Sequence, residues 1–109
     1  MYESRSSESE VLKNVLKPLL EDFQYWFERS HNLLEQENVT FLTDQQQSDL
    51  LGRIEQAQHE VNSAKAMFQV LDGQAGIEMS VLLPWHQLLT ECWKVSARFR
   101  AEQLTGKES

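Results

Sequence analysis

A single cysteine, Cys92, stands in 109 residues, which excludes an internal disulfide framework and any multi-thiolate metal site. Glycine and proline are scarce, at 4 and 2. Nowhere do apolar and polar residues alternate with period two, so no strand is expected. Basic residues are in deficit, 10 against 17 acidic ones, and the resulting charge of −7 argues against a phosphate-backbone binder, which needs a basic face. Long apolar runs are missing as well. The longest is five residues, Val81 to Trp85, against the ~20 needed to cross a bilayer. Met1 to Glu10 holds no apolar core, so no secretory signal is read there and a cytoplasmic setting is expected. The sequon Asn38-Val39-Thr40 is then accidental.

Apolar residues make up 40% of the chain, enough for one domain to bury a core without staples. Residues 1–8 and 105–109 read as disordered polar tails, with one helical domain over 9–104. The first stretch places Leu12, Leu16, Leu19, Phe23, Trp26, Ser30 and Leu33 at spacings of 4, 3, 4, 3, 4, 3, one continuous helix face. Leu20, Phe27 and Leu34 form a second file beside it, which suits a helix touching two neighbours. In the second helix the seam is Leu50, Ile54, Ala57, Val61, Ala64, Phe68 and Leu71, closed by Asp72-Gly73. Along the third it is Val81, Trp85, Leu88, Cys92, Val95 and Phe99, flanked by Leu82 and Leu89.

Asn38 can cap the end of the first helix. Thr43-Asp-Gln-Gln46 reads as a capping box for the second, under a connector that folds Val39, Phe41 and Leu42 over the bundle end. Pro18 and Pro84 kink or restart their helices, and the unbroken periodicity favours a kink. Three helices of about 27 residues, each roughly 40 Å long, joined by short connectors give an all-α, elongated, antiparallel three-helix bundle with coiled-coil-type seams. A helical hairpin that dimerises through its third helix is the second choice.

Reactive residues are few and poorly placed for chemistry. Glu28-Arg-Ser-His31 has the Glu-x-x-His spacing of di-iron bundles, but those sites need two such motifs and further inward carboxylates, so a solvated face is preferred. His59 with Glu55 reads as an exposed pair one turn apart. Cys92 has Leu88, Leu89, Val95 and Ser96 as helix neighbours and reads as a small buried apolar residue rather than a nucleophile. Asp72-Gly-Gln-Ala-Gly76 lacks the lysine and preceding strand of a phosphate loop. No enzyme, cofactor or metal site is expected.

One stripe remains. Leu82, His86, Leu89 and Trp93 run beside the third seam, and a bundle would consume the leucines and leave His86 and Trp93 at the edge. Trp93 lies seven residues from both His86 and Arg100, so His86, Trp93 and Arg100 are the candidate protein-binding residues. The competing reading makes Trp93 a lid on the groove against the first helix. A protein partner or self-association is therefore expected. A small-ligand or pigment-binding bundle, with Trp26, Trp85 and Trp93 around a core gap, is the alternative.

Leu16-Lys-Pro-Leu-Leu-Glu-Asp-Phe23, and more distinctively Asp72-Gly-Gln-Ala-Gly-Ile-Glu-Met79 followed by Leu83-Pro-Trp-His86, resemble a small cyanobacterial family of all-helical proteins of unknown function. The likeness spans about Leu16 to Arg100. It implies a cytoplasmic protein serving photosynthetic physiology, and it carries over no activity, cofactor or site residue.

Overall fold

The computed structural model describes residues 2–70 and 79–108, with side chains described over 14–70 and 80–105. Three helices make up the fold: α1 (Tyr2–Gln36), α2 (Asp44–Val70) and α3 (Met79–Glu108). No strand occurs among the described residues. The helices extend into both stretches expected as tails, since α1 starts at Tyr2 and α3 ends at Glu108. The molecule measures 65 × 25 × 19 Å, as long helices side by side require.

Cross-helix contacts fix the directions. Gln24 hydrogen-bonds Asn62 while His31 meets Glu55, so residue numbers rise on α1 as they fall on α2. Arg53 pairs with Glu91 and Trp85 with Glu60, so α2 and α3 are antiparallel too. Phe23 meets Trp85 and Trp26 meets Trp93, so α1 and α3 run parallel. This is the expected up-down-up order. The interfaces are unequal: α1 packs extensively on α2, less on α3, and α2 touches α3 sparingly. Polar links help close that thin third interface, with Trp85 Nε1–H donating to Glu60 at 3.0 Å and the Arg53 guanidinium gripping both Glu91 carboxylate oxygens. Arg53 beside Glu91 holds its carboxyl below the ordinary carboxylate value.

The seam of α2 is as expected: Leu50, Ile54, Ala57, Val61 and Phe68 are buried and Ala64 is half-buried, while Leu71 and Asp72-Gly73 lie outside the described residues. In α1 the centre is shifted by one file. Leu16, Leu20, Phe23, Phe27, Ser30 and Leu34 are buried, while Leu19, Trp26 and Leu33 are only half-buried. The larger α1–α2 interface draws the Leu20 file inward, and the Trp26 file is left facing the smaller contact with α3. In α3, Trp85, Leu88, Leu89 and Cys92 are buried, but Phe99 and Val95 are half-buried. Val81, expected in the seam, is 41% exposed and lines a recess between α2 and α3.

Both prolines sit inside continuous helices, so neither Pro18 nor Pro84 marks a helix start. The capping box forms as expected. Thr43 Oγ1 accepts from Gln46 N–H at 3.0 Å, and Gln46 Oε1 accepts from Thr43 N–H at 2.9 Å. Helix α1 ends at Gln36, ahead of Asn38, and a side chain from α2 closes it. Gln47 donates to the carbonyls of Leu34 and Glu37, both at 2.8 Å, and accepts from Val39 N–H at 3.0 Å. Leu34 lies in the last turn of α1 and Glu37 and Val39 just beyond it, so one amide supplies what the helix end lacks. Val39 is fully buried as a result, with Phe41 and Leu42 packed on the core.

Candidate functional site

The half-buried Trp26 file and the outer stripe of α3 face each other across a groove. Trp93 meets Trp26 edge to face, with ring centroids 6.0 Å apart and planes at 89°. Tyr25 extends the aromatic row, 5.0 Å from Trp26 and also edge-on. Leu33 and Phe99 line the floor, Arg29 stands on the α1 rim and Arg100 on the α3 rim. The groove encloses about 470 Å³.

Trp93 is 43% exposed, as a large aromatic at the groove mouth must be. Tyr25 is 51% exposed. The Arg29 guanidinium lies 5.7 Å from the Tyr25 ring and 5.6 Å from the Trp26 ring, and donates to the Tyr25 hydroxyl at 3.0 Å. Cation–π contact of this kind fixes the charge without neutralising it. Among the described residues neither Arg29 nor Arg100 is paired with a carboxylate. In a chain of net charge −7, the groove therefore carries two uncompensated positive charges beside exposed aromatic surface.

Of the three residues singled out on α3, the structure brings Trp93 and Arg100 to this groove. His86 is exposed but does not line it. Trp85 is likewise elsewhere, buried against Phe23 at 5.7 Å, so the three tryptophans do not surround one gap. Sequence reasoning placed Trp26 in the seam, or beside Trp85 and Trp93 around a core gap, and Leu33 in the seam, and it left Arg29 out, so the α1 half of this groove was not assembled. Its signal was present: a charged residue three positions after a tryptophan lies on the same helix face.

The other reactive residues also find their places. Cys92 is buried beside Ser30, and burial pushes its thiol up to about 11, outweighing the Ser30 hydroxyl that favours the thiolate. Glu28 does not join His31; the His31 ring turns instead to Glu35 and to Glu55 of α2. That takes Glu55 away from His59, its expected partner.

Fold and groove together define an all-α three-helix bundle with an aromatic, arginine-rimmed cleft between its parallel helices. The chain belongs to the DUF2605 family, described as a protein of unknown function, whose pattern matches residues 6–101. No curated protein and no solved structure matches the chain.

Proposed function

We propose that this chain is a non-enzymatic protein-interaction module that docks an acidic, amphipathic segment of a partner protein in the α1–α3 groove. The observation that carries this reading is Trp93, held edge-on to Trp26 at the mouth of a groove whose rims bear Arg29 and Arg100 without carboxylate partners among the described residues. Exposed tryptophan and arginine are the residue types in which interfaces concentrate their binding energy. The two free guanidinium groups favour a partner carboxylate, and the aromatic floor favours an apolar anchor next to it. The likeness of Asp72–Met79 and Leu83–His86 to a cyanobacterial family makes the cytoplasm of a photosynthetic cell the place to look for that partner. No helix of the described residues is long and apolar enough to cross a membrane.

The test is affinity capture from such a cell, followed by direct binding of the purified candidate to the wild-type chain, Trp93→Ala and Arg100→Glu. The expected result is an acidic partner whose binding both substitutions weaken by more than about tenfold at low salt, the Arg100→Glu deficit shrinking as salt screens the charge. A partner that binds both variants as tightly as wild type overturns the reading. Sedimentation of the free chain separates self-association, which would appear as a dimer lost in Trp93→Ala.

A further inference from the structure

We propose that His31, Glu35 and Glu55 form a binding site for a divalent transition-metal cation that ties α1 to α2. The site lies between the antiparallel helices, not in the α1–α3 groove, and does not depend on the function proposed above. Three donor atoms converge on one point. His31 Nε2 is 3.0 Å from Glu55 Oε2 and 3.3 Å from Glu35 Oε1, and all three donors lie within 4.8 Å of one another. A tetrahedral ion with bonds of about 2.0–2.1 Å separates its ligands by roughly 3.3 Å, so two of the three edges already have that length. The third edge closes by rotation of either glutamate, both of which are about half exposed.

Charge and hydrogen bonding favour an ion over an empty site. A single imidazole Nε2–H points at one carboxylate at a time, yet two are aimed at it. Among the described residues no lysine or arginine pairs with Glu35 or Glu55. Two carboxylates therefore converge on one imidazole nitrogen, all within 4.8 Å, a like-charge contact that a cation would reverse. Helix geometry supplies the rest. His31 and Glu35 are one turn apart on one face of α1, the i, i+4 spacing that lets two side chains of a helix grasp one metal. The His31 side chain is only 20% exposed, so its ring is held before any ligand arrives. Glu55 reaches across from α2, which makes the ion a clasp between the two helices. One nitrogen and two carboxylate oxygens suit Zn²⁺ or a neighbouring first-row ion, and leave a fourth position to water.

The experiment is calorimetric titration of the tag-free full chain with Zn²⁺ alone at neutral pH, alongside thermal melts with and without Zn²⁺. One ion per chain is expected, with a higher melting temperature in its presence. His31→Ala and Glu55→Gln should each weaken binding by more than about tenfold and abolish the thermal shift, since each removes one ligand. His59→Ala is the control and should change neither readout. Circular dichroism checks that the variants keep their helices. Absence of saturable binding, or binding that both His31→Ala and Glu55→Gln leave intact, overturns the site.

Discussion

Trp26 on α1 and Trp93 on α3 meet edge to face at 6.0 Å, and this contact is both a lid on the bundle and the wall of an open groove. The two roles separate on energy. Edge-to-face aromatic pairs contribute about 0.5–1.5 kcal/mol beyond their buried area, and Trp93 is 43% exposed. Trp93→Ala is expected to lower unfolding free energy by about 2–3 kcal/mol, the area term of its buried part added to the ring pair, while weakening partner binding by more than about tenfold. Urea denaturation gives the first number and direct binding the second. A variant that unfolds at ambient temperature would make Trp93 a structural residue.

The shift of the α1 core by one file has a direct consequence for mutation. Phe27 is fully buried whereas Trp26 is half-buried, so the larger side chain is the less costly one to lose. Phe27→Ala should cost about 3–5 kcal/mol, a large part of the ~5–15 kcal/mol typical of a domain. Trp26→Ala should cost clearly less. Equilibrium unfolding of the pair in parallel checks the order, and a larger loss at Trp26 would put the seam back where periodicity alone places it.

How much was legible in the sequence follows from the range of each interaction. Heptad spacing is local, so three helices, the α2 seam and the Thr43–Gln46 box could be read directly. Which of two adjacent files on α1 goes to the centre depends on the relative sizes of two interfaces, and the chain does not print those. Gln47 is one polar residue among several on α2, and its role exists only because α1 ends against it. His31 and Glu55 are 24 residues apart and meet only because the helices are antiparallel in one register. Trp93 and Arg100 could be found because they share a helix; that Arg29 and Trp26 share a face was equally local, but that this face meets Trp93 depends on how α1 and α3 pack.

Gly52 offers a gain rather than a loss. It lies inside α2, is exposed, and a Cβ added there meets nothing within 4 Å. Glycine in a helix interior is about 0.8–1.0 kcal/mol less favourable than alanine, chiefly through backbone entropy in the unfolded chain. Gly52→Ala should therefore stabilise by roughly that amount and raise the melting temperature by a few degrees. Since α2 carries neither rim of the groove, partner binding should be unchanged. A destabilised variant would show that something approaches this face of α2.

Cys92 makes the stability of the bundle depend on alkaline pH. Its thiol is pushed from an ordinary 9.0 up to about 11, first by burial, with the Glu91 carboxylate adding to the shift and Ser30 opposing it. Below pH 9 the thiol is neutral in folded and unfolded chains alike, and its contribution is fully present. Between 9 and about 11 the unfolded chain releases the proton and the folded one does not, so stability falls as pH rises through that window. Each unit of separation corresponds to about 1.4 kcal/mol, so the loss approaches about 2–3 kcal/mol at the upper end. Lysines and tyrosines titrate in the same range, and comparison with Cys92→Ala removes their share. The stability advantage of wild type over Cys92→Ala, measured by urea unfolding, should hold below pH 9 and shrink from there to about 11. A constant advantage across that range would mean that the buried thiol ionises as easily in the fold as outside it.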